Sequence, residues 1–275
     1  MFDHAELAAL VLGLIVTGCS GGFLAGLLGV GGGIVVVPIL FHVLEMFGID
    51  QAVRMQVAVG TSLATIIPTS IVSTWSHWRR ESVDRRLVQN LAPTTFVGVV
   101  IGTLFASWVS GQVLTGVFAG VALLVAVRMA MGPDSFMIGS QLPGRFGTGL
   151  IGAVIGSVSA MMGIGGGTLT VPLLSSFRYP IHSAVGTAAA LGLVISFVGA
   201  IGFVIIGYDD PLLPPFSVGY VNVAGVLAIV PASMLAAPLG VRVAHAISRE
   251  WLSRAFAFFL VLTSIKLFVS LIDMD

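Results

Sequence analysis

Apolar segments follow one another along almost the whole chain, most of them near the roughly 20 residues that a helix needs to cross a bilayer. Ten are read, at 5–28, 33–47, 53–76, 87–109, 111–131, 146–163, 167–177, 183–207, 216–240 and 251–272. What remains cannot cover a water-facing surface. Of 275 residues, 57% are hydrophobic and 9% are charged, where a soluble domain carries about 25% charged residues. Mean hydropathy is +1.08. A soluble enzyme, a nucleic-acid binder and a disordered protein are excluded on that ground. Twelve basic residues balance twelve acidic ones, so no basic excess points to nucleic acid either. A membrane barrel would need alternating segments of about ten residues, and these runs are apolar all round. The class is an all-α membrane protein of about ten transmembrane helices. The first run has no Lys or Arg before it, as a signal peptide would, and is expected to stay as a span. Cys19 is the only cysteine, so no internal disulfide forms.

Two segments, 33–47 and 167–177, are short, follow a glycine run and contain a proline (Pro38, Pro172). A helix of about 11 residues rises only about 17 Å. Both are therefore expected to start inside the membrane. They also belong to an internal repeat. Gly-Val-Gly-Gly-Gly at 29–33 matches Gly-Ile-Gly-Gly-Gly at 163–167, and Val37-Pro38 matches Val171-Pro172. Ala58-Val59-Gly60-Thr61 matches Ala184-Val185-Gly186-Thr187. Further on, Pro93 pairs with Pro231, Gly102 with Gly240, Phe118 with Phe256 and Arg128 with Lys266. Five spans per half is an odd number, so the halves are expected to be inverted. Residues 1–131 form the first repeat, 132–145 an inner linker and 146–275 the second repeat.

Charge supports ten crossings with both termini outside. Arg79, Arg80, Arg85, Arg86, Arg128, Arg145, Arg178, Arg242, Arg249 and Arg254 then lie inside, as the positive-inside rule asks. Arg54 lies outside and Lys266 within the last span. If only the two short segments failed to cross, the Arg79–Arg86 and Arg242–Arg254 clusters would fall on opposite sides.

Most of the 35 glycines are explained by close helix packing, for example Gly18, Gly22 and Gly26 at four-residue spacing. Gly22→Ala is accordingly expected to leave binding largely intact. Three adjacent glycines are different, because each costs about 1 kcal/mol relative to Ala inside a helix. They break the helix, and broken backbone at membrane depth must be buried in protein or line a wet cavity. The break exposes N–H groups at the start of the next helix, where the dipole favours an anion. Gly31, Gly32, Gly33, Gly165, Gly166, Gly167 and Thr168 are the expected substrate-binding positions on this ground, with Gly32→Leu or Gly166→Leu expected to abolish binding. Thr61, Ser62 and Thr65, with Thr187 as the counterpart of Thr61, stand beside the breaks in the repeat. Asn222 is read as lying well inside a span, where a polar amide needs a partner. Ser196 and the other hydroxyls also have a bland reading, a bond to their own helix backbone.

All acidic residues lie in loops or near span ends, which fits an anion better than a cation. His42, His77 and His182 near helix ends read as interfacial or structural residues. Arg128 and Lys266 read as side chains reaching for the interface. No metal-ligand cluster and no cofactor motif is present: Gly29-x-Gly31-x-x-Ile34 lacks the third glycine of a dinucleotide site, and no Gly-Lys-Ser/Thr follows. An intramembrane enzyme would need a nucleophile–base pair at depth, and none is evident.

Two Gly-x-Gly-Gly-Gly-x₄-Pro elements, Gly29 to Pro38 and Gly163 to Pro172, are each followed by a Val-Gly-Thr helix (Gly60-Thr61-Ser62 and Gly186-Thr187). In a chain of this length they resemble the TauE/SafE sulfite exporter family, over nearly the whole sequence. The resemblance implies export of a sulfur-containing anion, such as sulfite or an organosulfonate like sulfoacetate, across a bacterial inner membrane. Ala188 stands where the first repeat has Ser62, so the two halves of any site are chemically unequal. The expected partners are a small anionic substrate and the lipid bilayer, with no nucleic acid; a homodimer is a further expectation from exposed small-residue faces. The alternatives are an anion channel, a permease for another small organic anion and, behind them, an intramembrane enzyme.

Overall fold

The computed structural model describes residues 4–28, 32–131, 137, 139, 141–244 and 249–272. These residues hold ten helices: α1 (His4–Leu28), α2 (Gly33–Met46), α3 (Gln51–Arg79), α4 (Arg85–Trp108), α5 (Gly111–Met131), α6 (Arg145–Met162), α7 (Gly167–Ser175), α8 (Ile181–Ile206), α9 (Val223–Ala244) and α10 (Arg249–Ile272). Eight are long and apolar enough to cross a membrane. The protein is an all-α, multi-pass membrane protein. Side chains such as Leu12, Trp108, Leu124, Leu227 and Phe258 point outward, as lipid requires. Phe41, Met55, Leu63, Phe118, Met162 and Phe203 fill the interior.

Local chemistry sets the helix ends. Asp50 accepts the Ala52 N–H at 2.8 Å and starts α3, and Asp84 accepts the Leu87 N–H at 3.0 Å and starts α4. Gly163 closes α6 in the left-handed region, with φ 64°. The ninth segment departs from the sequence expectation. Helix α9 begins at Val223, not 216, because residues 217–222 form a hairpin of β1 (Ser217–Val218) and β2 (Val221–Asn222). Pro214 and Pro215 precede it, and Phe216 and Gly219 take positive φ. Asn222 is therefore not inside a span. Its Oδ1 accepts the Gly225 N–H at 2.7 Å, the geometry of a helix N-cap.

Helices α1 and α9 pack along each other, as do α4 and α6, α5 and α10, and α3 and α8. Helix α2 lies on α3 and α7 on α8, while α4 also meets α8 and α3 meets α9. Exchanging α1–α5 with α6–α10 turns each of these pairings into itself or into another of the set. The crossings correspond by residue. A Cβ on Gly22 would stand 2.2 Å from the Ser233 carbonyl oxygen, and one on Gly156 would stand 2.2 Å from that of Thr95. Backbone thus meets backbone at Gly22, so a Gly22→Ala change acts on the packing of α1 against α9.

The short helices start at depth. Helix α2 has 14 residues and α7 has 9, rises of about 21 Å and 14 Å. Gly33, the first residue of α2, lies against Ile66, the sixteenth of the 29 residues of α3. Gly166, just before α7, lies against Ala188 and Gly192, the eighth and twelfth of the 26 residues of α8.

Candidate functional site

The two glycine breaks meet each other. A Cβ on Gly33 would be 2.5 Å from the Gly163 carbonyl oxygen and 2.9 Å from the Ile164 Cα. No side chain larger than hydrogen fits between them. The left-handed turn at Gly163 lets the chain leave α6 and return along α7. Its N–H bonds to the Ala160 carbonyl at 3.3 Å, and that of Ile164 to Ser159 at 3.0 Å. Ser62 on α3 donates its hydroxyl to the Gly163 carbonyl at 2.7 Å, fully buried. Thr65 turns back to the Ser62 carbonyl at 2.7 Å. Gly32, Gly33, Ser62, Thr65 and the turn 163–166 form one centre; Gly31 lies outside the described residues.

Neither short helix has a side-chain cap at its start. The first N–H groups of a helix have no partner within it, so neither short helix itself uses the donors at its start. Thr168 is buried in the first turn of α7, which begins at Gly167. Thr170, one turn on from Gly166, is fully buried and its hydroxyl has no hydrogen-bond partner. A buried, unpaired hydroxyl costs about 1–3 kcal/mol, which makes Thr170 a donor in want of an acceptor. Gly165 meets only the Ile66 side chain, no closer than 3.4 Å, so some room remains beside it. A leucine at Gly166, in contrast, would start 2.6 Å from the Ala188 carbonyl oxygen and would damage the fold along with any binding.

Thr61 and Asn222 are brought together elsewhere, where the hairpin before α9 crosses α3. Thr61 Oγ1 accepts the Asn222 N–H at 2.9 Å, and Asn222 Nδ2 donates to the Pro215 carbonyl and Ser217 Oγ at 2.9 and 3.1 Å. Gly60 admits the Tyr220 carbonyl, which would be 2.5 Å from a Cβ. At the other end of the α3–α8 pair, Gly186 admits the Ser82 carbonyl at 2.4 Å from its Cβ position. The hydroxyl of Thr187, the next residue, is buried without a partner. Thr61 and Asn222 thus meet at an interhelical junction, whereas Thr187 directly precedes Ala188, whose carbonyl lies against Gly166.

The Ser82 junction is held by a contact that sequence reasoning did not anticipate. The Tyr179 hydroxyl, from the α7–α8 turn, donates to the second oxygen of Asp84. Burial pushes the Asp84 carboxyl up, but the Tyr179 hydroxyl and backbone N–H groups outweigh it and hold the carboxyl below its ordinary value. Burial and the carboxylate together push the Tyr179 phenol above its ordinary range. The sign follows from linkage. The depressed carboxyl contributes above the unfolded value of about 4 and is lost as pH falls through its folded value. The raised phenol contributes below about 10 and is lost as pH rises through its folded value. At pH 7 Tyr179→Phe is expected to lower stability by about 1 kcal/mol. That difference should shrink in thermal melts as pH falls below about 4 and through the folded value of the carboxyl. Equal melting at pH 7 would remove Tyr179 as a tie. An Asp four residues past Arg80, just before Arg85-Arg86-Leu87, was the available signal for the cap, but not for its partner 95 residues away.

At the other end of α2, His42 Nδ1 lies 3.1 Å from Glu45 Oε2, and Arg54 donates to Glu45 Oε1 at 2.9 Å. Arg54 also donates to the Ile49 carbonyl through Nε and a terminal nitrogen at 3.2 and 3.0 Å. Arg128 reaches Ser176, past the end of α7, at 3.5 Å. Both cations therefore serve the far ends of the short helices, away from the glycine centre.

The sequence profile of the family described as sulfite exporter TauE/SafE matches residues 14–267. A probable membrane transporter protein of Haemophilus influenzae is 31% identical over 259 residues, covering 94% of this chain and 98% of its own length. One of Methanocaldococcus jannaschii is 27% identical over 240 residues, 87% of this chain and 88% of its own. The probable membrane transporter protein YunE of Bacillus subtilis is 29% identical over 250 residues, 82% of this chain and 86% of its own. No solved structure matches the chain.

Proposed function

The chain belongs to the sulfite exporter TauE/SafE family of membrane transporters, and we propose that it exports a small sulfur-containing anion, sulfite or an organosulfonate such as sulfoacetate, by alternating access. The family and its relatives carry the names of transporters, not of enzymes. One observation carries the substrate reading: two uncapped helix starts lie at mid-depth beside glycine turns that touch each other. An anion there gains N–H donors and two helix dipoles. Thr170 supplies a hydroxyl that has no other acceptor. We read the chain as two inverted repeats, supported by the interchangeable helix pairings and by the matched crossings at Gly22 and Gly156. One repeat then rocks against the other around the turns. The family resemblance suggests a bacterial inner membrane, and with ten crossings the arginine distribution favours both termini outside.

The test is counterflow of labelled sulfoacetate into proteoliposomes, with sulfite, thiosulfate, acetate, taurine and a monovalent cation as competitors. Sulfur oxyanions should block it and the cation should not. Thr170→Val keeps the volume and removes the hydroxyl. It is expected to weaken the anion about tenfold, the weight of one lost hydrogen bond to a charged group, while the protein melts no lower than wild type. Unchanged affinity in Thr170→Val would remove the hydroxyl from the site. Flux without trans-stimulation would make the protein a channel. No flux of any anion through folded protein would end the anion reading.

A further inference from the structure

A cluster of arginines and tryptophans lies at the turn between α3 and α4, away from the glycine centre. The last turns of α3 carry Trp75, Trp78 and Arg79, with Arg80 following, and α4 opens on Arg85 and Arg86. The Arg79 guanidinium lies over the Trp75 ring at 3.9 Å, and that of Arg85 crosses the turn to lie over Trp78 at 4.3 Å. Stacking holds each guanidinium by its face and leaves its N–H edge free to point outward. All four arginines are exposed, and among the described residues none is in an ion pair. The nearby carboxylate of Asp84 is already engaged by the Leu87 N–H and the Tyr179 hydroxyl. Trp75 and Trp78 are 56% and 47% exposed on a membrane-spanning helix, so their open faces meet lipid at the headgroup level. One turn deeper, Ile71 and Val72 are exposed as well.

We propose that this turn is a binding site for an anionic phospholipid. The lipid phosphate takes the N–H edges of Arg79 and Arg85, and its acyl chains run down over Trp75, Val72 and Ile71. A fixed pair of forks suits a phosphodiester, which accepts through two oxygens in one plane. Arg80 and Arg86 add positive potential at the same level. The apolar strip directly below the cations selects a lipid over a soluble anion. The site is independent of the transported substrate.

The two tryptophans report on it directly. In a Trp108→Phe, Trp251→Phe background they are the only ones left, since the chain has four. The protein is placed in phosphatidylcholine nanodiscs holding a minor fraction of brominated phosphatidylglycerol or, in parallel, brominated phosphatidylcholine. Quenching should report enrichment of the anionic lipid. Each arginine near the surface contributes about a fivefold preference, so Arg79→Gln with Arg85→Gln should lower the enrichment about 25-fold. Arg145→Gln with Arg242→Gln, an exposed pair elsewhere, should leave it in place. Arg79→Lys with Arg85→Lys, which keeps the charge and loses the planar fork, serves if the glutamine pair does not fold, and should also lower it. Equal quenching by both lipids, an equal loss in the Arg145/Arg242 pair, or enrichment unaffected by either change at Arg79 and Arg85 would overturn the site. Inorganic phosphate that displaces the lipid better than chloride at equal ionic strength would make the ligand a soluble anion and overturn it too.

Discussion

Gly163→Ala is expected to abolish transport and to lower stability by about 3 kcal/mol. Three effects act together at this residue. Its φ of 64° lies where an L side chain pays about 1–2 kcal/mol. A Cβ would stand 2.9 Å from Val37 Cγ2 and 2.9 Å from the Val59 Cα, and the second of these belongs to the backbone of α3, which cannot rotate aside. Any shift that relieves the clash also moves the carbonyl away from Ser62, now 2.7 Å off. Thermal melts in detergent and uptake in proteoliposomes would measure both losses. Ser62→Ala separates the last effect from the others. It leaves a buried carbonyl without its donor, a cost of about 1–3 kcal/mol, and should melt between wild type and Gly163→Ala. Gly120→Ala is the control of opposite sign. Nothing lies within 4 Å of its Cβ position in α5, so it should gain up to about 1 kcal/mol from helix propensity. A Gly163→Ala protein that melts and transports like wild type would show that the turn does not need its left-handed backbone.

Much of this architecture is legible in the sequence, and the reason is physical. Bilayer thickness fixes span length, and nearly every helix boundary falls within a few residues of the apolar segments read directly. The breaks before 33 and 167 are legible because adjacent glycines are incompatible with a helix interior. What they touch is not. Helical spacing puts Thr61, Ser62 and Thr65 on neighbouring faces of α3, but only packing decides the outcome. Ser62 turns to Gly163, and Thr61 turns to the N–H of Asn222, 161 residues on. Asn222 was misplaced for a related reason. The stretch from Val221 to Ala224 is as apolar as a span, and the helix start is set by one side-chain bond to Gly225. The Tyr179–Asp84 tie joins two turns far apart in sequence, and neither residue is unusual alone. The close crossings are legible in part. Four-residue glycine spacing signals that a helix packs tightly, but not whether the neighbour offers a side chain that can yield or a backbone that cannot.

That distinction governs the second large effect: Gly22→Ala should lower stability by about 2–3 kcal/mol and cut the yield of folded protein. The nearest atoms to its Cβ position are the Ser233 oxygen at 2.2 Å, the Cα at 2.5 Å and the carbonyl carbon at 2.7 Å. An ordinary contact between such atoms needs well over 3 Å, so α1 and α9 must part by about 1 Å. The seam continues at Gly26 against the Ala237 oxygen, at 2.1 Å, and at Gly240 against that of Phe23, at 2.0 Å. Parting the helices at Gly22 therefore loosens several contacts at once. Because the obstacle is backbone, Ser233→Gly should not rescue the variant. A rescue would mean that side-chain crowding had been the cause. Gly156→Ala meets the Thr95 carbonyl at the same 2.2 Å in the α4–α6 crossing. If the halves are repeats of one unit, its loss in thermal melts should equal that of Gly22→Ala within about 1 kcal/mol, the scatter expected between sites of like geometry. A large loss at one crossing and none at the other would count against reading the two crossings as the same joint used twice. Equal losses would support reading the two crossings as one joint used twice, each time holding a helix of one repeat against a helix of the other.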